Sequence, residues 1–192
     1  MLTRQGAKLF VVSGLLILFA HPSLQHSRLG KAMLERAHET TGAKVHDLYE
    51  LYPDFAIDAA AEQAAVEAAH TLVWQHPLHW YGCPPLLKEW MDVVLSNSWV
   101  SSGEAAHCTG KRLWHVVTAG DPETAYASDG RNRHPLEAFL LPLKQTALQC
   151  SMEYLPPFTV YGGDHATSED AARHADAYAC RLDALKEPPR HG

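Results

Sequence analysis

The sequence predicts a single α/β domain: a five-stranded parallel sheet, doubly wound, with helices on both faces. Three observations predict it. Strand-like and helix-like segments alternate along the chain, the strand-like runs are apolar at consecutive positions, and 192 residues suit one domain. Consecutive apolar residues are what a parallel strand needs, because helices cover it on both sides and neither face meets water.

The elements follow in order. Residues 15–20 form the first strand, ending at His21-Pro22. Residues 29–40 carry helix formers behind Ser27, a residue suited to cap the helix start. A second strand fits 44–48, a helix 62–69, and a third buried strand 70–75. Pro84 and Pro85 open the next helix, where a missing N–H costs nothing, and Leu87, Trp90, Met91, Val94 and Leu95 make its apolar stripe. Residues 113–118 form the fourth strand. Residues 136–148 read as a helix in which Pro142 is placed to kink or restart it. Residues 158–161 form the fifth strand, and residues 168–185 a closing helix rich in Ala, Arg, Asp and Glu.

The two ends are set apart from this domain, which is taken as 13–186. Residues 9–20 are almost wholly apolar after Arg4 and Lys8, a pattern shared with secretory leaders. The strand reading of 15–20 is preferred, because a ligand loop follows Ala20; residues 1–12 are then an uncertain N-terminal extension and 187–192 a tail.

Composition excludes several classes. Net charge is -6 and basic residues cluster no further than pairs such as Lys111-Arg112, so nucleic acid is not an expected partner. Cys83, Cys108, Cys150 and Cys180 show no C-x-x-C spacing, and the 13 histidines include no H-E-x-x-H, so no metal site is expected. Scattered cysteines fit free thiols in a reducing cytoplasm.

The first strand-to-helix turn decides between the two doubly wound arrangements. A dinucleotide fold places G-x-G-x-x-G there, whereas this chain has His21-Pro22-Ser23-Leu24-Gln25-His26-Ser27. Hydroxyls and amides at a helix start suit one terminal phosphate, hence a mononucleotide and the strand order 2-1-3-4-5 of the flavodoxin-like arrangement.

Four segments carry a family resemblance: Phe19-Ala20-His21-Pro22 with Ser27; Leu51 to Phe55; Trp74 to Tyr81; and Pro84 to Asp92. They resemble the flavodoxin-like NAD(P)H:quinone oxidoreductase family, and within it the KefF/KefG group of ancillary proteins of glutathione-gated potassium-efflux systems. The similarity runs from about Leu15 to the last helix. It implies FMN as cofactor, NADH or NADPH as electron donor, quinone-like acceptors and a homodimer. It also implies a cytoplasmic protein, peripheral on the inner face of the inner membrane where it meets a potassium/proton antiporter.

The resemblance assigns sites. His21 and the segment Ser27, Arg28, Leu29 and Gly30 would hold the phosphate by amides and helix dipole. Leu78, His79, Trp80 and Tyr81 follow the third strand, and Thr118, Ala119, Gly120 and Asp121 the fourth; both segments would face the isoalloxazine ring. Tyr126 matches a tyrosine that steadies the reduced flavin in some relatives. Two departures stand out. The family's usual Thr-Thr-Gly-Gly reads Thr118-Ala119-Gly120-Asp121, and the family's histidine after Tyr126 falls near Asn132, with His134 two residues on and neither assigned that role. Trp74 and Trp90 are expected in the core. Two rival functions stay open: a non-catalytic regulatory subunit of the antiporter, and a one-electron carrier of the flavodoxin type.

Overall fold

The computed structural model describes residues 14–101 and 107–188, so the N-terminal extension, part of the leader-like run and the last four residues of the tail lie outside it. Six strands form one parallel sheet: β1 (Leu15–Phe19), β2 (Ala43–Asp47), β3 (Thr71–Pro77), β4 (Arg112–Thr118), β5 (Glu153–Tyr154) and β6 (Phe158–Val160). Their order is β2-β1-β3-β4-β5, with β6 also paired to β4, which is the expected flavodoxin-like order. The fifth position is a strand in two pieces. Leu155 still donates to the Leu113 carbonyl, but Pro156 and Pro157 have no N–H to give, and pairing resumes only at Phe158 opposite Val116.

Alternation along the strands divides the core into two layers. Leu15, Ile17, Val73, Trp114 and Val116 meet α1 (Arg28–Glu39) and α8 (Ser168–Leu185). Leu16, Leu18, Leu72, Trp74, Leu113 and Val117 meet α3 (Ala59–Ala68), α4 (Pro85–Val94) and α7 (Leu141–Gln149). Trp74 and Trp90 are fully buried, as expected of core aromatics. Helix starts carry their caps: Ser27 accepts from the Gly30 amide, Asp58 from Ala61, and Thr167 forms a capping box with Asp170. Asp47 likewise caps a short helix, α2 (Leu48–Leu51), so Leu48 starts a helix and does not extend the second strand. A further short helix is α5 (Asn97–Val100). Pro142 splits the expected 136–148 helix into α6 (Leu136–Phe139) and α7, with Leu140 between them.

Glu62, in the first turn of α3, is 1% exposed. Its carboxylate accepts from Tyr52 Oη at 2.7 Å, Trp90 Nε1 at 2.8 Å and His46 Nδ1 at 2.9 Å. Burial pushes its pKa up, but the hydrogen bonds from His46, Trp90 and Tyr52 outweigh this and hold it below the usual value. Truncation would strand three donors. Glu62→Ala should therefore destabilise the fold by about 3 kcal/mol in urea unfolding, and a loss near zero would show that the knot is not structural.

On the same sheet face, His76 and His115 pack edge to face at 5.7 Å, both buried, with neither Nε2 atom partnered among the described residues. Burial lowers the His76 pKa from the ordinary 6.5 to about 4; burial first and then His76 lower that of His115. A histidine that titrates normally only when unfolded takes up its proton there first. The stabilisation is complete above pH 6.5 and is lost as pH falls through the window to about 4, by roughly 3 kcal/mol for His76 alone. Urea unfolding of wild type and His76→Phe between pH 4 and 7 checks this: the wild type should weaken more steeply on acidification, and parallel curves would contradict it.

Candidate functional site

The strands run parallel, so the loops that follow β1, β3, β4 and β6 gather at one carboxyl edge of the sheet. The loop after β1 turns through a short 3-10 helix, Leu24–His26, into α1. Ser27 Oγ accepts from the Gly30 amide at 2.9 Å, while the first turn leaves the amides of Arg28 and Leu29 without an intrahelical acceptor. A Cβ on Gly30 would lie 2.8 Å from Ser27 Oγ and 3.0 Å from the His21 ring, so only glycine lets these three meet. His21 Nδ1 accepts from the Ser23 amide at 3.2 Å, which fixes its neutral tautomer. Burial, joined by the neighbouring His79, pushes its pKa down.

The loop after β3 is a two-residue hairpin. His79 donates to the Gly82 carbonyl at 2.8 Å and Gly82 returns to the His79 carbonyl at 3.1 Å. The residues at its tip, Trp80 (φ 46°) and Tyr81 (φ 62°), are both left-handed. Glycine or asparagine normally fills such a tip, so two aromatics there store strain of roughly 1 kcal/mol each or more. Trp80 is 88% exposed. Tyr81 anchors the tip: its ring packs on Phe139 at 5.0 Å and its hydroxyl donates to Asn132 Oδ1 at 3.2 Å.

Asn132 then passes the connection onward. Its Nδ2 donates to Asp121 Oδ2 at 3.2 Å, and Arg131 pairs with the same carboxylate through Nε at 3.1 Å and through its terminal nitrogen. The hydrogen bond from Arg131 holds the Asp121 pKa below the usual carboxylate range. Asp121, one of the departures from the resembled Thr-Thr-Gly-Gly pattern, and Asn132 meet in one hydrogen bond. Tyr126 stands behind them, its ring against Tyr161 at 5.5 Å. Burial, then the Asp121 charge and Tyr81, raise its pKa to about 12, so it keeps its proton at neutral pH.

Seven of the expected residues line one cleft of about 360 Å³: Leu78, His79, Trp80, Tyr81, Gly120, Asp121 and Tyr126. Arg131 and Asp164 complete it. A Cβ on Gly120 would fall 2.6 Å from the Asp164 carboxylate, so the bare Gly120 lets that side chain lie directly against it. The other expected residues do different work. The Arg28 guanidinium reaches away to the Ala166 carbonyl at 3.0 Å, and the Leu29 side chain is core. Ala119 is buried, its amide bound to Val160 O and its carbonyl to Gly163 N. Thr118 O accepts from Leu78 N at 2.7 Å and so fastens the hairpin to β4. Sequence reasoning missed Arg131 and Asp164. The Gly162-Gly163-Asp164 turn after the last strand, with Gly162 at φ 74°, was the available signal for the second.

Comparison with known proteins agrees with the fold. A family model for the flavodoxin-like fold matches residues 13–182. The glutathione-regulated potassium-efflux system ancillary protein KefG of Salmonella paratyphi B is 42% identical over 163 residues, 85% of this chain and 89% of that protein. General stress protein 14 of Treponema denticola, solved in complex with FMN, superposes with a TM-score of 0.84 at 37% identity, over 89% of this chain and 98% of the other. An NADPH-quinone reductase from P. pentosaceus shares the fold, with a TM-score of 0.77 at 24% identity over 93% and 99% of the two chains. By fold, by the loops gathered at its carboxyl edge and by kinship with KefG, the chain belongs to the flavodoxin-like fold family.

Proposed function

We propose that this protein binds FMN in the cleft at the carboxyl edge and oxidises NADH or NADPH to reduce quinones or similar electrophilic acceptors. The observation that carries the reading is the joining of a single-phosphate turn (His21, Ser27, Gly30) to an aromatic hairpin and a glycine-backed wall at one sheet edge. The kinship with KefG supports a second role, as an ancillary regulator docked on the cytoplasmic face of a potassium/proton antiporter. A homodimer is part of the proposal, because Trp80 and Tyr81 leave a broad aromatic surface exposed at the cleft mouth.

The residues fit a flavin mononucleotide. Free amides at the start of α1, with the helix dipole behind them, suit a phosphate dianion, and Gly30 keeps the approach open. The cleft volume falls in the range of roughly 300–1,000 Å³ usual for small-molecule sites. When bound, FMN supplies hydride acceptance and transfer, while the protein supplies position and electrostatics. Ser27 and the following amides would hold the phosphate. Trp80 and the hairpin backbone would lie against the ring. Tyr126 would present a hydrogen-bond donor that stays protonated across the working pH range.

Steady-state kinetics test the reading. With NADH or NADPH varied at several quinone concentrations, double-reciprocal plots should be parallel, as a two-step relay through one site requires. Absence of turnover with every donor and quinone would refute the enzymatic reading and leave the regulatory subunit and the one-electron carrier. Light scattering at micromolar concentration should report a dimer, and a fully active monomer would refute that part.

Cofactor titration assigns the loops. Ser27→Ala should weaken FMN about ten- to a hundredfold, since charge-assisted bonds contribute roughly 1.5–3 kcal/mol each. Riboflavin, which lacks the phosphate, should bind wild type and variant alike. Ser27→Gly, which keeps a tolerated helix cap, separates lost phosphate contact from a frayed helix. Trp80→Ala should weaken FMN and riboflavin together. If Ser27→Ala harms riboflavin as much as FMN, the phosphate lies elsewhere.

Asn132→Ala frees Tyr81 from Asp121, so the strained hairpin loses a support. Both flavins should then bind about tenfold more weakly, the equivalent of one hydrogen bond of about 1.4 kcal/mol. Unchanged affinity for both would show that the bridge does not shape the cleft.

A further inference from the structure

Two of the four cysteines lie together at the edge of the sheet opposite the cleft. Cys108 occupies the turn before β4 and Cys150 the carboxyl end of α7, just before β5. Their side chains are in hydrogen-bond contact, Cys108 and Cys150 sharing one S–H···S interaction within the core. The two backbones are tied there as well. Lys111 donates to the Cys108 carbonyl at 3.2 Å, Gly110 to Ser151 O at 3.3 Å, and Glu153 to Lys111 O at 2.9 Å. Cys83 and Cys180 sit elsewhere, half-buried on the approach to α4 and exposed on α8.

We propose that Cys108 and Cys150 form an intramolecular disulfide when the protein meets a low-molecular-weight disulfide. The Cys150 thiolate attacks one sulfur of that reagent, forming a mixed disulfide and releasing one thiolate. Cys108 then loses its proton and attacks the Cys150 sulfur, forming the protein S–S bond and releasing the second thiol. One reagent disulfide is reduced to two thiols, and two protein thiols are oxidised to one disulfide.

Access and acidity give the steps this order. Cys150 borders an open cleft with Val100, Ser101, Thr146 and Gln149, whereas Cys108 is fully enclosed. The hydrogen bond donated by Cys108 favours the anion on Cys150, and burial opposes it. For Cys108 that same hydrogen bond, and then burial, push the thiol up. Two largely protonated thiols make the reaction slow at neutral pH and faster on alkalinisation. The bond would close a loop containing β4, Gly120 to Asn132, α6 and α7. It would brace one wall of the cleft from behind without entering it, and loop closure of this kind stabilises a fold.

The test uses the full chain and a Cys83→Ser/Cys180→Ser variant, each incubated with hydroxyethyl disulfide at several pH values. Mass spectrometry of the variant should show loss of two hydrogens per chain and no lasting reagent adduct, with a rate that rises with pH. Non-reducing digestion of the full chain should yield a peptide linking Cys108 to Cys150. The melting temperature should rise on oxidation and return with dithiothreitol, a change absent from Cys108→Ala and from Cys150→Ala. A persistent adduct on Cys150 without cross-link would overturn the proposal. So would recovery of both thiols after denaturation while Cys83 and Cys180 are modified. Neither result bears on flavin binding.

Discussion

The hydrogen bond from the Leu78 amide to the Thr118 carbonyl, at 2.7 Å, is the last rung between β3 and β4, and the candidate site depends on it. It brings the chain out of β3 exactly one residue past the sheet, beside the segment that leaves β4. The hairpin from His79 to Gly82 is thereby held against the 118–134 loop, and Tyr81 reaches Asn132. A shift of register by one residue would exchange the two buried faces of β3, setting Leu72 and Trp74 against the layer that Val73 now fills, so packing of the two layers enforces this placement. Core packing and site geometry are two consequences of one register.

Charge at the site is arranged around Asp121. A carboxylate near a flavin ring would repel electrons arriving there, but Arg131 neutralises this one by bonding both its oxygens, and Asn132 shares Oδ2 with Arg131 Nε. Asn132 couples the hairpin to this charge: an asparagine can serve both the Tyr81 hydroxyl and Asp121 because its amide has one acceptor and one pair of donors. Its bridge does not titrate, so the hairpin support is constant through neutral pH.

Much of this was legible in the sequence. Consecutive apolar runs gave four strands within two residues of their ends, because burial on both faces leaves little choice of residue. Ser27, Pro84-Pro85 and Pro142 marked helix boundaries for local reasons of capping and a missing donor. The loop residues 78–81, 120, 121 and 126 came from resemblance, and they do line one cleft. Other features had no local signal. β5 has two residues, one of them a glutamate, and owes its existence to the neighbour it pairs with. Glu62 sits in an alanine-rich helix like any surface glutamate, and only Tyr52, Trp90 and His46 converging from three other segments reveal it as buried. The left-handed turn at Trp80-Tyr81 contradicts what those residues favour alone; contacts with Phe139 and Asn132 hold it.

The central claim is that this edge holds a flavin with one phosphate. Protein purified under native conditions should be yellow, and the flavin released on denaturation, separated by liquid chromatography, should be FMN at close to one equivalent per chain. Release of FAD, or protein that stays colourless after incubation with excess FMN, would contradict the account.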